Sequence, residues 1–129
     1  FFKILSSIEV PGNYLGDGVF LRAQRPIFRL DKKDRIIQVS FNNYDRAPFR
    51  LDEKKTLEFY NALRKFDLIA NDKKSQWRRV LKPGELLIIN NWRVLHGRSK
   101  FKGSRKMSGC YINKEDFDSM CKLNSLSSY

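Results

Sequence analysis

Histidine is almost missing from this sequence: one residue, His96, in 129. A single imidazole cannot hold a transition metal in a defined three-ligand geometry, so no complete metal centre of that kind is expected from these residues alone. Cysteine is nearly as scarce. Cys110 and Cys121 provide neither a disulfide framework nor the spacing of metal ligands, and without a cluster of soft ligands an iron–sulfur centre is excluded within the chain. Both thiols read as small buried hydrophobes in a reducing compartment. No apolar run approaches the roughly 18 residues of a membrane span, and Phe1-Phe2-Lys3-Ile4-Leu5 lacks the layout of a signal peptide. There is no internal repeat and no low-complexity linker. The first residue is not methionine, from which we expect a longer protein whose targeting segment, if it has one, lies in the missing part.

The residues that are present can bury one sizeable core and form a single domain, since 41% are hydrophobic and 13% aromatic. The formal net charge is +12, from 26 Lys and Arg against 14 Asp and Glu. By itself that balance suits an anionic partner, and a basic nucleic-acid-binding module is the non-enzyme reading; its mark would be a steep loss of affinity with salt. The distribution argues the other way. The cations come as short pairs, Lys32-Lys33, Lys54-Lys55, Lys73-Lys74 and Arg78-Arg79, with acids nearby, as on a solvated face.

In chain order, residues 4–10 are expected to form a short strand ended by Pro11-Gly12-Asn13, and Gly16-Asp17-Gly18 marks a second turn. Residues 19–30 read as extended, with Pro26 marking an edge or a bulge. Asp31-Lys32-Lys33-Asp34 turns the chain. Ile37, Val39 and Phe41 then alternate with Gln38, Ser40 and Asn42, the period of a half-buried strand. Between residues 52 and 71 the period becomes helical. Phe59, Ala62, Leu63, Phe66, Ile69 and Ala70 share one face, expected to pack on the sheet, while Asp52 and Glu53 suit the positive end. Residues 76–81, 85–90 and 105–112 read as strands, and 115–123 as a last helix with Asn113 as its cap. The tail 124–129 is expected to fray.

His96 follows the apolar run Leu86-Leu87-Ile88-Ile89, just past the end of the strand expected there. An isolated imidazole is commonly a hydrogen-bonded structural residue. Here, however, Arg105 stands nine residues on, and an imidazole on one strand end with a guanidinium on the next suits a metal and the far carboxylate of an acid chelated to it.

These residues also carry a resemblance. Asn91-Trp92-Arg93-Val94-Leu95-His96-Gly97-Arg98, followed by Gly103-Ser104-Arg105 and Gly109-Cys110-Tyr111, resembles the C-terminal motif of the iron(II)/2-oxoglutarate dioxygenases of carnitine biosynthesis. The likeness runs from about Val39 to Leu123. The run Tyr44-Asp45-Arg46-Ala47, after Phe41-Asn42-Asn43, is similar to members acting on N6,N6,N6-trimethyllysine more than to those acting on γ-butyrobetaine. Asn90 stands where the family usually has aspartate.

The resemblance implies a mixed, mainly β fold. The chain would be the C-terminal part of a double-stranded β-helix, or jelly roll, with one long helical insertion and a short C-terminal helix. Residues 1–129 would be the C-terminal portion of one catalytic domain, inactive alone, because the His-x-Asp motif that supplies the other metal ligands has no counterpart here. The implied reaction is hydroxylation of trimethyllysine at C3 coupled to oxidation of 2-oxoglutarate to succinate and CO2, with γ-butyrobetaine hydroxylation as the alternative. It would use Fe(II), 2-oxoglutarate and O2, with ascorbate as reductant. The implied setting is intracellular, in the mitochondrial matrix or the cytosol, with a small-molecule substrate, no nucleic acid and no membrane; a homodimer is compatible with it.

By the same resemblance His96 is the third protein ligand of a two-histidine, one-carboxylate triad. Arg105 pairs with the distal carboxylate of 2-oxoglutarate, where a planar fork is better suited than lysine; otherwise it is a surface cation. Tyr111 meets the trimethylammonium group through its π-face, the interaction left to a cation without N–H groups, or else it is a core tyrosine. Arg105, Met107, Gly109 and Tyr111 would share one strand face. Asn42 belongs to the substrate or co-substrate pocket, or is a turn residue. Asp45 is placed against the α-ammonium that trimethyllysine has and γ-butyrobetaine lacks. Trp92 and Arg98 are assigned to packing and loop structure.

Overall fold

Asp17 and Gly18 are the two residues of a tight hairpin turn, both with positive φ, 51° and 76°, which matches the right-handed twist of the strands they join. The computed structural model describes residues 1–126, in two units, Phe1–Gly97 and the residues from Arg98 on. In the first, the turn joins β1 (Glu9–Gly16) to β2 (Val19–Pro26) in an unbroken antiparallel register from Glu9 opposite Pro26 to Gly16 opposite Val19.

Residues 4–10, expected as a strand, are divided. Phe2–Ser7 forms a helix, α1, whose Leu5 is fully buried, and β1 starts only at Glu9. Ile4, Leu5 and Ile8 fit a helical face as well as a strand, and packing decides between them. Pro11-Gly12-Asn13 also departs from expectation, since it lies inside β1 and does not end it. The Pro11 carbonyl accepts from Ala47 N at 2.9 Å, on the edge of β1 away from β2. The ring nitrogen of Pro11 faces that same edge, so its missing N–H takes nothing from the β1–β2 ladder.

The second sheet pairs β3 (Phe28–Leu30) with β4 (Ile36–Val39) across the expected turn at residues 31–34. The Asp31 carboxylate accepts from Lys33 N at 2.8 Å, Arg35 N at 3.0 Å and Arg35 Nε at 2.7 Å. The backbone N–H of Arg35, then its guanidinium, hold that carboxyl below its ordinary value. A register shift between Arg29 and Leu30 leaves Ile37 unpaired and sets Ile36 opposite Leu30, so that Ile36 and not Ile37 packs on the core. Gln38, expected outside, is buried and Ile37 is exposed, while Val39 and Phe41 remain packed on the core.

The expected long helix is α2 (Glu53–Asn71), capped by the Asp52 carboxylate, which accepts from Lys55 N at 2.8 Å. That bond, and then the Lys55 side chain, lower the Asp52 carboxyl. Phe59, Ala62 and Leu63 are buried. Phe66 meets Phe28 and Phe41 edge-on, with centroids 5.2 Å and 5.1 Å apart, and Phe49 meets Phe59 at 5.4 Å. Such pairs add to what burial of their area contributes. The expected face ends there, because Ile69 is 47% exposed. A 3-10 turn, Lys73–Ser75, follows.

Residues 76–81, 85–90 and 105–112 were expected as strands and are irregular. Their alternation is that of strands, but a strand needs a neighbour for its ladder, and none pairs with them among the described residues. Val80 is 87% exposed and Leu86 84%. In the second unit, α3 (Lys114–Leu123) begins one residue before the expected Glu115; Asn113 stands at the cap position, but its side chain makes no capping bond. Ser125, with φ 56°, closes it: Ser125 N donates to Lys122 O at 3.1 Å and Leu126 N to Cys121 O at 2.8 Å. Residues 124–126 therefore make an ordered helix end, not a frayed one; the rest of the expected tail, 127–129, lies outside the described residues. Cys121 is buried as expected, whereas Cys110 is exposed. Three helices hold more of the described residues than the four strands do, so the fold is mixed, with antiparallel strands, and not mainly β.

Candidate functional site

The edge of β1 that faces away from β2 fixes the first candidate residues. Asn13 N donates to the Asp45 carbonyl at 2.8 Å, Ala47 N returns a bond to Pro11 O, and Gly12 forms an antiparallel bridge with Arg46. Gly12 permits this approach, for a Cβ there would lie 3.3 Å from the Asp45 carbonyl oxygen. Asp45 is thus held through its backbone while its carboxylate remains available. Asn42 lies across the same turn. Its Oδ1 accepts from Tyr44 N at 2.9 Å and its Nδ2 donates to Asp45 Oδ2, so the amide is the turn residue that its sequence allowed and also a partner of the carboxylate.

His96 lies in the same unit, exposed, in an irregular segment. Upstream, the chain turns at Asn90, whose carbonyl accepts from Arg93 N at 2.9 Å and whose Oδ1 accepts from Trp92 N at 3.1 Å. Trp92 O accepts from Val39 N at 2.8 Å, and the Arg29 guanidinium lies 5.0 Å from the Trp92 ring centroid. Trp92 therefore docks the start of the histidine motif on the end of β4, the packing role expected of it.

In the second unit Arg105 is exposed, with its guanidinium 5.7 Å from the Phe101 ring centroid and touching the Met107 sulfur. Arg98 lies 5.3 Å from the same ring. Two guanidinium groups thus converge on one phenyl face or its rim. Tyr111 is 88% exposed. The strand face expected to align Arg105, Met107, Gly109 and Tyr111 does not form, because that segment has no ladder partner among the described residues.

Sequence reasoning joined neither Gly12 nor Asn13 to Asp45, because Pro-Gly-Asn has the composition of a turn. It also left Phe101 out, although an aromatic residue midway between two arginines was a visible signal. A groove of about 690 Å³ lined by Glu9, Arg22, Gln24, Arg50 and Lys55, among others, includes none of the candidate residues. Among the described residues no helix is long and apolar enough to cross a membrane. Nor does any group of three or more His, Cys, Asp or Glu side chains there stand ready to hold a metal ion. A complete iron site does not fit within these residues; His96 is the one imidazole they have to offer.

The family model for the taurine catabolism dioxygenase TauD, TfdA family matches residues 1–111, and the chain belongs to that family. It is 36% identical over 127 residues to trimethyllysine dioxygenase of Meyerozyma guilliermondii, covering 95% of this chain and 32% of that protein. To trimethyllysine dioxygenase of Neurospora crassa it is 40% identical over 121 residues, 90% of this chain and 26% of that one. To γ-butyrobetaine dioxygenase of Homo sapiens it is 31% identical over 120 residues, 87% and 31% of the two chains. The chain therefore spans about a third or less of the length of these relatives.

Proposed function

We propose that this chain is the C-terminal portion of the catalytic domain of an iron(II)/2-oxoglutarate-dependent dioxygenase that hydroxylates N6,N6,N6-trimethyllysine at C3, with 2-oxoglutarate oxidised to succinate and CO2. The observation that carries the substrate is the 36% and 40% identity to trimethyllysine dioxygenases over nearly the whole chain. In this reading the domain adopts the jelly roll of its family, and the unpaired segments 76–90 and 105–112 meet their ladder neighbours in the rest of that domain.

Each candidate residue then has a stated task. His96 contributes one imidazole to the iron, whose other protein ligands come from outside these residues. Arg105 offers two parallel N–H donors to the distal carboxylate of 2-oxoglutarate, a geometry that a lysine cannot reproduce. Tyr111 presents its ring to the trimethylammonium group, which has no N–H to donate and is recognised by charge and shape. Asp45, fixed by β1 and by Asn42, receives the α-ammonium of trimethyllysine, while Asn42 orients that carboxylate.

The 31% identity to human γ-butyrobetaine dioxygenase supports a second reading of the same chemistry, hydroxylation of γ-butyrobetaine. The two substrates differ at the position assigned to Asp45, since γ-butyrobetaine has no α-ammonium. Succinate release by the full-length protein, measured with each substrate in turn, tests the choice. Faster release with trimethyllysine is expected; faster release with γ-butyrobetaine would overturn it, and release with neither would overturn the dioxygenase reading.

A further inference from the structure

The segment that carries Arg105 is unusual in having no acid. From Arg98 to Lys106 it holds Arg98, Lys100, Lys102, Arg105 and Lys106, and no carboxylate occurs between Glu85 and Glu115. Every residue of 98–106 is exposed. None of these five cations forms an ion pair within 4.0 Å among the described residues, where the pairs are Arg35 with Asp31, Lys55 with Asp52, Arg79 with Glu85 and Lys114 with Asp118. Lys100 and Lys102 flank Phe101, on whose ring the guanidinium groups of Arg98 and Arg105 converge at 5.3 Å and 5.7 Å.

Consecutive α-carbons are about 3.8 Å apart, so both lysines are tied to the neighbourhood of the Arg98–Phe101–Arg105 cluster. Like charges held this close repel one another, and an arriving anion relieves that repulsion. At low salt the potential of such a cluster extends about 30 Å into solvent, and near physiological ionic strength about 8 Å.

We propose that Lys100, Lys102 and Lys106 steer the dianionic co-substrate to Arg105, raising its rate of capture without contacting it in the bound state. The inference rests on the reading of Arg105 as the carboxylate partner of 2-oxoglutarate. It extends that reading by giving the three lysines a kinetic role, which is felt in association and not in the chemical step. A lysine suits this task because a mobile point charge attracts an anion without holding it in a fixed geometry.

The test uses the full-length protein and its variant Lys100→Gln/Lys102→Gln/Lys106→Gln. Stopped-flow association of 2-oxoglutarate, followed by tryptophan fluorescence without the second substrate, is measured from about 0.01 to about 0.15 M ionic strength, together with kcat/KM for 2-oxoglutarate. The wild-type rate is expected to fall about tenfold or more across that range, and the variant to lose most of this advantage at low salt with kcat unchanged. The companion variant with all three lysines changed to arginine keeps the charge and is expected to keep the salt slope. An equal salt slope in wild type and the glutamine variant overturns the inference while leaving the family reading intact, as does a wild-type rate that ignores salt. Absence of any 2-oxoglutarate consumption in the wild type removes both.

Discussion

Two stretches of this chain both carry strand-like apolar patterning and meet opposite fates. Residues 1–71 enclose a core of Leu5, Ile27, Phe28, Phe59, Ala62 and Leu63, whereas residues 76–113, poorer in β-branched and aromatic side chains, are irregular and largely exposed. Local chemistry separates them. In the first stretch Asp17-Gly18 and the Asp31–Asp34 turn bring each strand's partner back within two to five residues, and Asp52 starts a helix that needs no partner to satisfy its backbone. In the second, the apolar alternation is present and the adjacent partner is not. Strand propensity is a statement about a pair, and helix propensity about a segment.

The residues assigned to chemistry after Asp45 all lie in the irregular stretch, so chemistry and stability should separate under mutation in the full-length protein. The largest effect is expected from His96→Ala. Hydroxylation should be abolished while the thermal midpoint stays unchanged, and retained succinate release coupled to hydroxylation would remove the ligand assignment. Phe59→Ala should do the reverse. Emptying a fully buried aromatic site costs about 3–5 kcal/mol, read by denaturant unfolding, with no change in KM for molecules that remain folded; a cost below about 1 kcal/mol would mean that α2 is not the centre of the core.

Arg105→Lys should raise the 2-oxoglutarate requirement far more than that for trimethyllysine, by about 1–3 kcal/mol, as a two-pronged contact becomes a single point charge. Steady-state kinetics in both substrates decide this, and an unchanged 2-oxoglutarate requirement would return Arg105 to the surface. Tyr111→Leu keeps apolar area but removes the π-face, and should weaken substrate binding by about 0.5–2 kcal/mol with uncoupled 2-oxoglutarate turnover intact. Equal affinity in both proteins would leave Tyr111 without a role in recognition.

The smallest effect is set by pH. Hydrogen bonds lower the Asp31 and Asp52 carboxyl groups in the folded state from an unperturbed 3.8. Their contribution is therefore complete above that value and lost as pH falls through the lower folded values. Acid titration of Asp52→Asn should lack the part of that loss which the α2 cap supplies; an identical acid transition would show the cap to be silent.

Much of the scaffold was legible in the sequence. The spacing of Phe59, Ala62, Leu63 and Phe66 identified α2, Asp52 identified its start, and Gly16-Asp17-Gly18 marked the turn that the hairpin uses, because each signal acts within a few residues. The errors fell where distance matters. Ile4, Leu5 and Ile8 suit either period until α2 covers one of them, the register shift between β3 and β4 put Ile36 in place of Ile37 on the core, and the strands expected at 76–81, 85–90 and 105–112 depended on neighbours that no local pattern reveals. Of the candidate site, His96, Arg105 and Tyr111 were named through the family motif, and the described residues do not bring them together. Asn42 and Asp45 were named from sequence, but the clamp that Pro11, Gly12 and Asn13 place on Asp45 was not.

That clamp also sets an order in time. A two-residue turn closes within about 1–10 μs, before most contacts between distant parts of a chain, so β1 would stand with its outer edge exposed before residues 45–47 arrive to bond it. The Asn42–Asp45 turn is then a late addition to an early template. Weakening the turn at Gly18 should slow folding, whereas crowding the Gly12 approach to the Asp45 carbonyl should leave the folding rate nearly alone and speed unfolding. Kinetic analysis of the two variants would separate the part of this protein that shapes itself from the part that is shaped upon it.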